Sequence, residues 1–311
     1  MSDFVSWTSK VSLMHIIQSL LLKRNLALFV IMLASAQFSA QTRDLLDFYQ
    51  RIGKGEVMVA AHRGDWRNFP ENSLEAITSC IEMGVDIVEV DVRRTADGHF
   101  VLMHDETVNR TTNGKGRVDA LSLKQIRTFK LKDRFGNVTA FSVPTLEEVA
   151  QLTADRIVVN LDKSAECFDA LMQKLDSMDA CYQFILKANR SSEYFDARLT
   201  HTEHFPCLMP ILNKKQEQVF DAYLSQAHPR VAELIASSDT TDFSSPEGLA
   251  IFRQHQCGVW YNSLFPAVSM GWDENKSKEK AWEWFLLHDA AVIQTDYPKE
   301  LMAFLVTLGK R

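Results

Sequence analysis

The chain has 311 residues, with 34 Lys and Arg against 40 Asp and Glu, a net charge of −6, and is 46% hydrophobic and 24% charged. That balance excludes a disordered chain, a collagen-like fibre and a cysteine-dense mini-domain. No global positive field is present to attract nucleic acid, and the length allows one large domain or two small ones.

Lys23 and Arg24 precede an apolar run over residues 26–34, which ends at Ala34-Ser35-Ala36. A basic flank, an apolar core and a small-x-small site form a secretory signal pattern. The run is too short to span a bilayer, which takes about 20 apolar residues. The pattern predicts a signal peptide over residues 1–36, with cleavage as late as Ala40 as a variant. It predicts a secreted or periplasmic protein with no stable membrane insertion after cleavage. An uncleaved amphipathic anchor over residues 11–33 is the competing reading. Loss of residues 1–36 leaves 275 residues with a net charge of −8. The five cysteines, Cys80, Cys167, Cys181, Cys207 and Cys257, form no CxxC pair, which argues against zinc and thioredoxin-like motifs. Export would permit one or two disulfides, while the apolar settings of Cys80, Cys207 and Cys257 favour buried thiols.

Short apolar runs then alternate with helical periods. Strands are predicted at 57–61, 87–92, 100–103, 156–161, 183–186, 207–212, 231–235, 258–261 and 291–295. Helices are predicted at 73–83, 146–152, 166–178, 192–199, 215–225, 246–255, 276–288 and 298–308. Val- and Ile-rich strands separated by helices indicate a parallel sheet with helices outside. The expected fold is α/β, a (β/α)8 TIM barrel forming a single domain over residues 50–311. Nine strand candidates are one too many, so one is an extra short strand or no strand. A doubly wound sheet is the runner-up, but its GxGxxG fingerprint is missing. The polar, Gly-containing stretch 107–140 breaks the alternation. It reads as an excursion from the barrel, a small helical subdomain inserted after the third strand.

Ionisable residues gather where strands end. His62-Arg63 follows the first predicted strand, Glu89 and Asp91 close the second, His104 follows the third, and Asn160 and Asp162 close the fourth. The C-terminal strand ends of a β/α barrel form its functional mouth, and period-2 geometry puts Glu89 and Asp91 on one strand face. Glu89, Asp91 and Asp162 would repel one another without a cation. Their hard oxygens suit Ca²⁺ or Mg²⁺ better than zinc. Salt bridges to Arg63, Arg93, Arg94 or Lys163 are the structural alternative. His62 and His104 beside a dication suit displacement at phosphorus, one accepting a proton while the other donates one. Metal ligation or packing at strand ends is the alternative for both. In the Pro70-Glu71-Asn72-Ser73 tetrad, Asn72 or Ser73 can cap the following helix, and Glu71 is in reach of the metal site. Trp66, Trp260 and Trp272 fall near strand ends, where they either line a head-group pocket or simply pack.

These residues resemble the glycerophosphodiester phosphodiesterase family. His62-Arg63-Gly64 followed by Pro70-Glu71-Asn72-Ser73 is similar to its opening motif. Glu89-Val90-Asp91 matches its ExD motif and His104-Asp105 its HD motif. Arg110-Thr111-Thr112-Asn113-Gly114, Pro144-Thr145-Leu146-Glu147-Glu148 and Thr295-Asp296-Tyr297-Pro298 resemble three further stretches. The resemblance implies a β/α barrel with a small insertion and hydrolysis of glycerophosphodiesters to glycerol 3-phosphate and an alcohol. It implies His62 and His104 as the acid–base pair, Glu89 and Asp91 as ligands to a divalent cation, and Arg63 at the phosphate. The family's third carboxylate is a Glu in an NxExK-like context. Here the stretch reads Asn160-Leu161-Asp162-Lys163, with an acid one methylene shorter and Lys163, the candidate phosphate-binding lysine, directly after it. Glu71, Asn72 and Asn160 would stand one step behind the ligands.

The expected partner is a small-molecule glycerophosphodiester, with no nucleic acid and no obligate protein partner. Two other readings stand beside it. One is a related barrel phospholipase of the phosphoinositide- or sphingomyelin-cleaving type, which wants an apolar rim. The other is a non-catalytic barrel that binds phosphate or sugar phosphate.

Overall fold

Apolar residues at alternate positions need two different surroundings, one inside a sheet that has closed on itself and one beneath the helices that cover it. The computed structural model of the chain describes residues 50–52, 54–188, 191, 193–194, 207–213, 215, 219–235, 242–264, 268–269 and 277–311. The expected signal peptide over 1–36, most of the predicted helix 192–199, and Trp272 lie outside the described residues. In chain order the first elements are β1 (Met58–His62), α1 (Leu74–Met83), β2 (Ile87–Arg94), β3 (Phe100–Leu102), α2 (Leu123–Ile126), β4 (Lys130–Lys132), β5 (Val138–Ser142) and α3 (Leu146–Thr153). There follow β6 (Val158–Asp162), α4 (Phe168–Ser177), β7 (Phe184–Ala188), β8 (Cys207–Asn213), α5 (Phe220–Ala227), β9 (Val231–Ile235) and α6 (Pro246–Gln254). The chain ends with β10 (Gly258–Leu264), β11 (Val268–Ser269), α7 (Lys278–Leu287), β12 (Ala290–Thr295) and α8 (Pro298–Thr307).

Eight strands pair in parallel around a closed ring, β1-β2-β6-β7-β8-β9-β10-β12 and back to β1. This is the (β/α)8 TIM barrel. The ninth strand candidate is β3, and it is no barrel stave. It runs antiparallel to the far end of β2, with Val92 facing Leu102. His104 therefore approaches the mouth from an extension of β2, and the third stave is β6.

The helix boundaries follow local chemistry. Ser73 caps α1 by accepting the Ala76 N–H at 3.1 Å. Gly84 ends the helix in the left-handed region at φ 74, a conformation glycine adopts without Cβ strain. At α3 the Thr145 hydroxyl accepts the Glu148 N–H and the Glu148 carboxylate accepts the Thr145 N–H, a reciprocal capping box. No helix among the described residues is long and apolar enough to cross a membrane.

Strand residues divide as the pleat requires. Val59, Val88, Val90, Val159, Leu161, Leu186 and Ile293 belong to the large core under the helices. Met58, Ala60, Ile87, Val158, Ile185, Trp260 and Val292 form a separate apolar floor inside the barrel. The insertion has its own small core, which includes Val108, Val118, Ile126 and Leu131. It was expected to be helical, but its main element is the β4–β5 hairpin, paired from Lys130 to Ser142, and α2 is only four residues long. The described cysteines Cys80, Cys167, Cys181 and Cys257 are free thiols.

Candidate active site

The loop after β1 is bent sharply. Arg63 and Gly64 both have left-handed backbones, at φ 53 and φ 75. A Cβ on Gly64 would lie 2.8 Å from the Ala76 Cβ, so only glycine lets this turn press onto α1. The turn aims the Arg63 N–H at the Glu89 carboxylate, 2.9 Å away. Asn72, also left-handed at φ 58, is clamped to Asp91 in both directions. Its Nδ2 donates to Asp91 Oδ2 at 2.9 Å, and its Oδ1 accepts the Asp91 N–H at 2.9 Å. The same tetrad thus caps a helix and fixes an acid.

On β2 the inward positions pass from Ile87 in the floor to Glu89 and then Asp91. On β6 they pass from Val158 to Asn160 and then Asp162. The register sets Glu89 beside Asn160 and Asp91 beside Asp162. One carboxylate oxygen from each of Glu89, Asp91 and Asp162 lies within 4.8 Å of the other two. Two oxygens bound at about 2.4 Å on opposite sides of one Ca²⁺ would stand about 4.8 Å apart, so the cluster has the dimensions of a ligand set. Glu89 and Asp91 are each 1% exposed. Burial, with the charges of Asp91 and Asp162, pushes the Glu89 carboxyl up to about 7 against the pull of His62 and Lys187. Buried acids that repel in this way fit a hard cation. Among the described residues, two buried polar groups beside them make no hydrogen bond: the amide of Asn160, and Nε of Arg63, which lies 3.6 Å from Asp91 Oδ2.

Both histidines are oriented by carboxylates. His62 Nδ1 is 2.8 Å from Asp296 Oδ1, and the same oxygen accepts the Trp66 indole N–H at 2.7 Å. His104 Nδ1 is 2.8 Å from Asp105 Oδ1. An ionised carboxylate only accepts, so each Nδ1 carries the proton and each Nε2 is left for chemistry. Burial alone would lower the His62 imidazole pKa, but the Asp296 hydrogen bond and the Glu89 charge carry it above its ordinary value. Arg110 joins the two halves of the site. It donates to Asp105 at 2.8 Å and to Glu71 at 2.7 Å, and Glu71 accepts from Arg63 at 3.0 Å.

The structure brings His62, Arg63, Trp66 and Glu71 to one cavity of about 470 Å³. Lys163, the residue just past β6, turns off the strand at φ 62, and its backbone N–H donates to Asp162 Oδ1. Trp260 does not line a head-group pocket: it is 0% exposed in the barrel floor. The pleat explains this, since the polar inward position of β10 is Asn262, two residues on. Sequence reasoning missed Lys187. It is 3% exposed, with Nζ 3.5 Å from Asp162 and 3.0 Å from Glu233. Its signal was a single cation in an apolar strand, two residues after inward-facing Ile185. The role of Asp296 as the partner of His62 was also missed. No local pattern joins residues 234 positions apart.

Residues 62–223 match the family model described as the Glycerophosphoryl diester phosphodiesterase family, and the chain belongs to that family. A second model, a domain of unknown function, matches residues 207–305. A glycerophosphodiester phosphodiesterase of Caldanaerobacter subterraneus subsp. tengcongensis is 44% identical over 109 residues, covering 34% of this chain and 45% of the relative. The match thus spans less than half the length of that curated relative. In fold, the chain is similar to a glycerophosphoryl diester phosphodiesterase from Parabacteroides distasonis, with a TM-score of 0.68 and 21% identity, covering 85% of this chain and 92% of the other. It is also similar to an Oleispira antarctica phosphodiesterase in complex with the product sn-glycerol-3-phosphate, with a TM-score of 0.61 and 16% identity, covering 81% of this chain and 97% of the other.

Proposed function

We propose that the protein hydrolyses glycerophosphodiesters to glycerol 3-phosphate and an alcohol, and that it needs a divalent cation, Ca²⁺ or Mg²⁺. The observation that carries this reading is the cluster of buried Glu89 and Asp91 with half-buried Asp162, together with two histidines, His62 near Glu89 and His104, whose Nδ1 atoms are each held by a carboxylate. Glu89, Asp91 and Asp162 would hold the cation, which would offset charge on the phosphoryl oxygens. Arg63, whose Nε makes no hydrogen bond among the described residues and lies 3.6 Å from Asp91, binds a phosphate oxygen, and Lys163 adds positive charge from the end of β6. His62 and His104 move the protons through Nε2, one accepting from the attacking hydroxyl or water and one donating to the leaving oxygen. Glu71 and Asn72 keep Arg63 and Asp91 in place, and the Asn160 amide stands beside Glu89 in register. The basic-apolar-small pattern over residues 1–36 supports export to the periplasm or beyond.

The test is a screen of the purified protein for release of glycerol 3-phosphate. The substrates are glycerophosphocholine, glycerophosphoethanolamine, glycerophosphoglycerol and glycerophosphoinositol, each with Ca²⁺ or Mg²⁺ and again after chelation. Release from at least one diester, lost on chelation and restored by the cation, is the expected result. Undiminished turnover after thorough chelation would remove the metal, and full activity in both His62→Ala and His104→Ala would remove the proton-transfer roles.

A further inference from the structure

The cavity has a second wall, which the proposed chemistry does not use. The β4–β5 hairpin forms it, with Lys132, Asp133, Arg134 and Gly136 facing His62, Arg63 and Asp296 across the same space. The turn between the strands is tied by Asp133. Its carboxylate accepts the N–H groups of Phe135 and Asn137, each at 2.9 Å, and the Asn137 side-chain amide at 3.0 Å. Asp133 is therefore spent on its own loop. Its neighbours are not. Lys132 Nζ meets only the Asn109 carbonyl, at 3.4 Å, and the Arg134 guanidinium lies 4.6 Å from the centre of the Phe135 ring. Among the described residues neither has a carboxylate in ion-pairing range. The other two cations of the cavity do: Arg63 is paired with Glu71 at 3.0 Å, and Arg110 with Glu71 at 2.7 Å and Asp105 at 2.8 Å.

Two cations without a carboxylate partner among the described residues therefore stand together on one rim of the cavity, on a tightly tied turn. We propose that Lys132 and Arg134 form a head-group subsite that selects glycerophosphodiesters whose alcohol carries an anion, such as a carboxylate. The subsite rests on the diesterase reading for the identity of its substrate. In this proposal the phosphodiester lies beside His62 and Arg63, and the alcohol takes the hairpin side of the same cavity. A negative group there gains two charge-assisted contacts, whereas a quaternary ammonium meets like charge.

Glycerophosphoserine and glycerophosphoethanolamine differ by one carboxylate and isolate this effect. The wild-type protein is expected to favour the serine diester in kcat/KM by about tenfold, the scale of two partly exposed ion pairs. In K132Q/R134Q that ratio falls to near one, and in the charge-preserving K132R/R134K it is kept. Added salt shrinks the wild-type preference. Calorimetric titration with O-phosphoserine and phosphoethanolamine in the presence of Ca²⁺ reads the same preference without turnover. A wild-type ratio near one, or a ratio unchanged in K132Q/R134Q, overturns the subsite. If neither diester is hydrolysed, the proposed activity falls, while the two binding affinities still decide whether the hairpin reads the carboxylate.

Discussion

Ile185 and Lys187 are two residues apart on β7, point to the same side of the sheet and are both buried, at 0% and 3% exposure. Ile185 meets Met58, Ile87, Val158 and Trp260 in the barrel floor. Lys187 meets Asp162 and Glu233, at the level where the neighbouring strands present Glu89, Asn160, Asn262 and Gln294. One pleat period separates a layer held by removal of apolar surface from water from a layer in which buried charges hold one another. The two layers should fail differently. The floor loses packing in proportion to what is removed. The upper layer suffers most when one partner is removed and the other is left charged in the interior.

The largest effect is expected where the upper layer touches the chemistry. In Asp296→Ala, His62 loses the oxygen that holds its proton on Nδ1 and fixes its ring. The fold is retained while kcat falls by about a thousandfold or more, as loss of the orienting acid does in other histidine sites. Steady-state kinetics beside a thermal melt checks this, and a variant that loses stability and activity together would mean Asp296 acts only as a structural anchor. In the floor, Trp260→Ala removes a fully buried indole and should cost about 3–5 kcal/mol by urea denaturation. In the layer above, Lys187→Met should cost about 3 kcal/mol although it keeps nearly the same volume, because Glu233 and Asp162 lose their cation. Adding Glu233→Gln to Lys187→Met should recover part of that loss, whereas Glu233→Gln combined with Trp260→Ala should be additive. A cycle without coupling between 187 and 233 would erase the distinction between the layers.

The same pleat explains what could be read in advance. Glu89, Asp91 and Asp162 were legible because each follows an apolar strand residue at an even spacing, and acids are rarely placed on an inward face without a partner. Trp260 was misplaced because closeness to a strand end was weighed above parity with Asn262. The stretch Phe100–Leu102 was legible as a strand but not as an off-barrel one, since three apolar residues do not reveal whether their neighbour runs parallel. The insertion was legible as an interruption. Its hairpin was not, because its ladder joins half-exposed Lys130 to Ser142 without a strong apolar alternation. The pairing of His62 with Asp296 needs the ring to close, with β12 beside β1.

The smallest effect lies at the boundary between the layers and solvent. Glu71 is partly buried, at 15% side-chain exposure, and joins Arg63 and Arg110. Burial alone would raise its pKa, but the Arg110 hydrogen bonds and the charges of Arg63, Arg110 and His104 pull it below the usual carboxylate value. A depressed folded-state pKa stabilises the protein above the unfolded value of about 4.3, and that contribution is lost as pH falls through the folded value. Glu71→Gln should therefore be less stable than the wild type by about 1–2 kcal/mol near neutrality. The gap should close on acidification below about pH 4.3 and should not reopen at higher pH. Denaturation curves across the acid range measure it. A gap that stays constant through the acid limb would mean that Glu71 acts by shape, so that Arg63 and Arg110 are held by packing and not by its charge.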